Sequence, residues 1–258
     1  MDRATSWIAR LVLVFLYIPI IAVIVYSFNS AAGGYTWQGF SLRWYGELFA
    51  DGALLQTLGI SAIVGVLAAS VATVVGLLAA IALVRFPFRG SGMVLAAIVL
   101  PLIVPEIVLG VALLSVFSFL HVPLGIVTLV LGHLIITLPL TTLIMVGGFR
   151  TLDPSLIEAA AELGCTPWRT FTRVLFPLMR SSIIASWLLA FTVSLGNIVI
   201  STFVSGVGST TMPLRVYSLL KSGLTPELNA LGTLLIVLTF VIVLSVGIQQ
   251  MRRILAHP

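Results

Sequence analysis

Charge is what this sequence has least of. Its 258 residues include 13 basic and 8 acidic side chains, 8% of the chain, against 60% hydrophobic residues. A soluble domain carries about 25% charged and roughly 45–50% apolar residues, so a water-soluble globule is excluded. The single cysteine, Cys165, excludes a disulfide scaffold, and the chain is too apolar for disorder and has no collagen-like glycine period. A Gly-Lys-Ser/Thr phosphate loop is also missing, so ATP hydrolysis by the P-loop route is not available to this chain. An integral membrane protein remains, in which the net charge of +5 orients the chain rather than pointing to nucleic acid.

Runs of about 20 apolar residues occupy 11–28, 59–84, 93–120, 125–148, 181–204 and 231–251. Glu106 is the one charged residue inside them. Such segregation follows from the cost of a charge at a bilayer centre, about 2.5–3.5 kcal/mol or more, and predicts an all-α membrane protein of six transmembrane helices. Residues 1–258 read as a single bundle without a soluble domain or repeat. An even number of spans puts both termini on one side. That side carries Arg3, Arg10, Arg85, Arg89, Arg150, Arg169, Arg173, Arg180, Arg252 and Arg253, against Arg43, Arg215 and Lys221 on the other. The positive-inside rule makes the first set cytoplasmic. The first run is long, contains Pro19 and leads into Tyr26-Ser27-Phe28-Asn29 rather than a small-residue cleavage site, so it reads as a retained span.

The connection 149–180 is an elbow. Asp153 caps a first short helix that starts at Pro154 and ends at Gly164; Thr166 and Pro167 start a second that runs to Phe176. Leu156, Ala160 and Leu163 share one face of the first helix, Glu158 and Glu162 another, and the small residues Ala159, Ala160 and Ala161 allow close backbone approach. These features suit either docking or a solvated amphipathic loop helix.

Glu158-Ala159-Ala160, three residues, Gly164, nine residues, then Val174-Leu175-Phe176-Pro177 resembles the EAA loop of bacterial ATP-binding-cassette importer permeases, with Val174 and Phe176 as conservative replacements. Further stretches, including Leu16-Tyr17-Ile18-Pro19, Arg85-Phe86-Pro87-Phe88-Arg89-Gly90 and Pro213-Leu214-Arg215-Val216-Tyr217-Ser218, are most similar to the second permease subunit of spermidine/putrescine importers. The resemblance implies a type I importer permease fold in the bacterial cytoplasmic (inner) membrane. It also implies a second permease subunit, two ATP-binding-cassette ATPase subunits holding ATP and Mg, an extracytoplasmic solute-binding protein, and no cofactor on this chain. In that family the helix of Glu158 is the coupling helix lodged in the ATPase, which makes Glu158, Ala159, Ala160, Gly164 and Pro177 the coupling residues.

Glu106 follows Pro101 and Pro105, which remove backbone donors and kink the third span; the carboxylate there serves either a cationic solute or a broken helix end. The permeases that the chain resembles carry an acid after the matching proline. In the fifth span Ser194, Asn197, Ser201 and Thr202 either line a pathway or act as helix-packing groups, and Gly196-Asn197 permits a break. Similar permeases carry an acidic pair at Gly196-Asn197, so a less cationic substrate (another amine, an amino-acid derivative, thiamine or an aminoalkylphosphonate) stands beside putrescine and spermidine. Pro213 starts an amphipathic helix bearing Arg215 and Tyr217, which resembles the outer gate segment and reads equally as an interfacial helix. Trp37, Trp44 and Tyr45 read as interface anchors, and His133 as a hydrogen-bonded packing histidine. An intramembrane enzyme built on Ser115, Ser118, His121 and His133 has no motif to fix its geometry, and a proton-coupled carrier has no need of the elbow.

If the elbow transmits force, Glu158→Lys and Gly164→Pro abolish transport while the protein still inserts in the membrane. Normal uptake by either variant overturns the assignment.

Overall fold

A computed structural model describes residues 3–31, 36–86, 88–222, 227–237, 239–241 and 244. Among these the chain is helical without a strand, one isolated bridge pairing Asn29 with Phe40. The elements are α1 (Arg3–Tyr26), α2 (Arg43–Ala50), α3 (Gly52–Arg85), α4 (Ser91–Val99, extended by a 3-10 turn Leu100–Leu102), α5 (Glu106–Phe119) and α6 (Ile126–Arg150). After these come α7 (Ser155–Glu162), α8 (Pro167–Thr170), a wide π turn (Phe171–Leu175), α9 (Phe176–Gly196), α10 (Val199–Val204) and α11 (Met212–Ser222). Two compact units form, residues 57–214 and the two flanking segments 1–56 with 215–258.

Among the described residues four helices are long and apolar enough to cross a membrane: Thr5–Tyr26, Gly52–Arg85, Ile126–Arg150 and the continuous run Pro167–Gly196. The third predicted span is broken rather than kinked: Ser91–Leu102 and Glu106–Phe119 are bent by 102°, because Pro105, extended at ψ 130°, ends one helix before Glu106 opens the next. The fifth also differs from expectation. The elbow's second helix does not end at Phe176 but continues through the π turn and Pro177 into α9, which stops at Gly196 where a break was anticipated. Of the sixth predicted span, residues 231–237, 239–241 and 244 are described and helical; the rest lies outside the described residues.

Within residues 57–214 the core is made by small side chains that let helices approach. Ala68, Ala69, Ala72 and Ala80 on α3 are wholly buried. Near them Thr141 of α6 donates its hydroxyl to the Ala72 carbonyl at 2.9 Å. In hydrocarbon such packing and interhelical hydrogen bonds replace the hydrophobic effect as the associating force. One apolar cluster joins Ile60, Val64, Phe117, Leu129, Ile136, Ile200 and Val204; the other joins Ala80, Met145, Val146, Phe149, Leu175 and Met179.

In the unit formed by the flanking segments, Trp44 and Tyr45 depart from the expectation that they are interface anchors. Trp44 is buried and donates its indole N–H to the Asn29 carbonyl at 2.7 Å, and the Tyr45 hydroxyl pairs with Ser27 Oγ at 2.7 Å. The cause is Asn29, whose side chain accepts from Ala31 and Gln38 N–H groups and donates to Thr36, folding the loop back onto α2. Trp37 remains half exposed.

A Cβ added at Gly76 would lie 2.6 Å from Thr141 Oγ1 and 3.0 Å from the Thr142 backbone nitrogen. Gly76→Ala is therefore expected to destabilise the α3–α6 contact by about 1–3 kcal/mol, seen as a lower melting temperature of the detergent-solubilised protein.

Candidate functional site

Predicted residues fall in three places: a buried polar cluster at the helix breaks, the exposed elbow, and α11. At the first, α9 ends at Gly196 and Asn197 turns extended, φ −77° and ψ 117°. Its side chain faces two ways. Oδ1 accepts from the Ile200 N–H at 2.9 Å, satisfying a free donor at the start of α10, and Nδ2 donates to Glu106 Oε1 at 2.6 Å. Glu106 is half-buried at the first residue of α5, where the positive end of the helix dipole favours a carboxylate. The break in one span is thus tied to the break in another.

His133 of α6, 1% exposed, straddles the second break: Nδ1 meets Ser194 Oγ of α9 at 2.6 Å and Nε2 meets Ser201 Oγ of α10 at 3.0 Å. Ser201 spends its one hydroxyl proton on the Asn197 carbonyl at 2.9 Å, so it accepts from His133. Nε2 therefore carries the proton, and Nδ1 accepts from Ser194. Every polar group of the ring is satisfied in the neutral form, which agrees with the packing role expected for this histidine. Thr202 stands apart: it is exposed and its hydroxyl returns to the Ile198 carbonyl at 2.8 Å. His133 is the hub that inspection of the fifth span alone misses, although Ser194 and Ser201, seven residues apart, were its available partners.

In the elbow, Asp153 Oδ1 accepts from the Ser155 N–H at 2.9 Å, a backbone contact that holds its carboxyl below the usual carboxylate range. Gly164 ends the first helix in the left-handed region, φ +74°, while the Cys165 N–H closes back on the Ala160 carbonyl at 3.0 Å. The face of Leu156, Ala160 and Leu163 is only partly covered. Ala160 is buried, but Leu156 and Leu163 are 41% and 84% exposed, and Ile157 packs inward against the second apolar cluster in their place. The reason is tertiary: α3 and the π turn lie on the Ile157 side. Glu158, Ala159, Gly164 and Pro177 are exposed, and Trp168 adds an aromatic surface 72% exposed.

The third place is α11. It begins at Met212, whose N–H donates to Ser61 Oγ at 2.7 Å, one residue before Pro213. Arg215 Nε is buried without a hydrogen-bond partner, and the Lys221 ammonium lies 4.6 Å from the Tyr217 ring centroid.

Broken apolar helices closed by polar side chains at one end of the run Pro167–Gly196, and an exposed elbow at the other, are the two features that the fold sets apart. In fold the chain is similar to one from a bacterial ABC transporter involved in the import of the acidic polysaccharide alginate, with a TM-score of 0.69, 15% identity, and 97% and 98% of the two chains covered. An amino acid ABC transporter chain matches with a TM-score of 0.61 and 14% identity, over 83% of this chain and all of that one. Residues 72–257 match the family described as binding-protein-dependent transport system inner membrane component, and the chain belongs to that family. Among its relatives are the spermidine/putrescine transport system permease protein PotC of Haemophilus influenzae, 40% identical over 229 residues, 89% of each protein. The putrescine transport system permease protein PotI of Escherichia coli is 40% identical over 86% of this chain and 82% of its own length.

Asn197→Ala strips Glu106 of its amide partner and the Ile200 N–H of its acceptor. A loss of about 1–3 kcal/mol is expected, measured as a fall in melting temperature; Ser201→Ala, which leaves the Ser194–His133 bond in place, falls less.

Proposed function

We infer that the chain is a permease subunit of an ATP-driven importer that carries putrescine or spermidine across the bacterial cytoplasmic membrane. The observation that carries this reading is the 40% identity, over most of the chain, to permeases named for those two solutes. In this reading the chain makes six crossings with both termini in the cytoplasm. It pairs with a second permease, receives solute from an extracytoplasmic binding protein, and sits on two ATPase subunits that hold ATP and Mg.

The elbow is the contact with the ATPase. Glu158 and the exposed Leu163 face outward from it, while Ile157 and Ala160 anchor it to the core. The continuous run from Pro167 to Gly196 joins the elbow to the break at Asn197. Displacement of α7 by nucleotide-driven closure is therefore carried along one rigid helix to the polar cluster. Nucleotide state shifts the balance of outward and inward conformers only through such differential contact.

Glu106 is the solute contact of this chain. Asn197 occupies one carboxylate oxygen and leaves lone pairs for an ammonium group. Ser194, Asn197 and Ser201 shape the wall behind it and Thr202 adds an exposed hydroxyl, while Pro213, Arg215 and Tyr217 form the outer gate. A second reading, a solute with one cationic group, is favoured by Gly196-Asn197, which puts an amide where similar permeases place carboxylates.

The test is ATP-dependent uptake of labelled putrescine by proteoliposomes holding the assembled importer. Glu106→Gln removes a charge-assisted bond of about 1.5–3 kcal/mol, so uptake efficiency falls about 10- to 100-fold. Uptake that excess unlabelled putrescine fails to suppress excludes the polyamine, and uptake that persists without the ATPase excludes the importer.

A further inference from the structure

Where the elbow meets the end of α3 there is a cavity of about 540 Å3, within the roughly 300–1,000 Å3 typical of small-molecule sites. It is lined by Leu78 and Ile81 of α3, Ile157 and Ala161 of α7, and Trp168 and Phe171 of the segment after it; Arg85 is the one formal charge in the lining. Water gains little here, since an ordered molecule needs two to four polar partners, and an empty space forfeits dispersion contacts along its walls. Hydrocarbon is the occupant such a lining matches.

Its position indicates where the hydrocarbon comes from. At 1.5 Å per residue the 34 residues of α3 extend about 51 Å, beyond the ~30 Å bilayer core, so the helix reaches out of the hydrocarbon, and its last turn carries the charge of Arg85. Phe86 is 66% exposed beside it, and Trp168 in the same lining is 72% exposed, aromatic side chains of the kind that settle at the membrane interface. Among the described residues the one ion pair joins Arg43 to Glu47, so Arg85 has no carboxylate partner, nor do Arg89, four residues on, or Arg169 and Arg173, next in sequence to or two beyond the lining residues Trp168 and Phe171. Unpaired basic groups at this level attract the anionic lipids of the cytoplasmic leaflet.

We propose that this cavity holds an acyl chain of an anionic phospholipid whose headgroup pairs with Arg85, wedging α7 against the end of α3. The elbow's inner wall is then partly lipid, so its stiffness depends on the anionic lipid content of the membrane. The bound lipid lies on the Ile157–Ala161 side of α7 and leaves the outward Leu163 face free.

The test uses the purified full-length chain in detergent, titrated with dioleoylphosphatidylglycerol or dioleoylphosphatidylcholine and observed by native mass spectrometry. One phosphatidylglycerol is expected to be retained at least tenfold more strongly than phosphatidylcholine. Arg85→Gln, a change at an exposed side chain, should abolish that preference, and Ala161→Phe, which fills the cavity, should abolish retention. Phosphatidylglycerol with brominated acyl chains should quench the wild type more than Trp168→Phe. Equal retention of the two lipids, an unchanged preference in Arg85→Gln, or equal quenching overturns the proposal, and displacement by equimolar palmitate overturns the phospholipid as occupant. None of these readouts requires uptake, so they stand or fall separately from the polyamine reading.

Discussion

A helix interrupted inside an apolar medium leaves backbone donors and acceptors that water does not reach, and the rest of this structure depends on how they are closed. Asn197 answers for two interruptions. Its Oδ1 takes the Ile200 N–H beyond the break in the fifth span, and its amide meets Glu106 at the break in the third. His133 holds Ser194 and Ser201 on either side of the first of these. Unpaired, each such group costs a sizeable fraction of a protein's net stability; paired, they leave the irregular backbone satisfied.

The same arrangement fits transport. A continuous α-helix bundle has no polar backbone to offer a solute, whereas two broken spans present helix ends and a carboxylate at one place. The carboxylate at the N-terminus of α5 meets the dipole of that helix and the Asn197 amide, so its charge is supported without a basic partner. Rigid connection matters equally. The π turn and Pro177 adjust the path of the run from Pro167 to Gly196 without ending it, so an elbow at one end and a helix break at the other belong to one mechanical element.

Small residues allow this architecture. Ala68, Ala69, Ala72, Gly76 and Ala80 bring α3 against the threonines of α6 closely enough for a side chain to bond a neighbouring backbone carbonyl. Where the packing is looser, at the junction of α3 and the elbow, the lining is apolar and ends at Arg85. Membrane lipid fits that junction because it supplies both the hydrocarbon and the anionic group that the lining lacks.

Much of this was legible in the residue order. Segregated charge, the spacing of Glu158, Gly164 and Pro177, the prolines before Glu106 and the Gly196-Asn197 pair all act locally, through solvation, missing backbone donors or allowed φ and ψ, so their consequences appear wherever the chain folds. What the order did not disclose depends on distant partners. Ile157 rather than Leu156 turns inward because α3 and the π turn lie on that side; Trp44 is buried because Asn29 folds a loop over it; His133 joins α6 to α9 and α10 across sixty or more residues. Periodicity and caps are properties of a segment, whereas a hydrogen bond between helices or a space left between them is a property of their packing, and only the tertiary structure decided those.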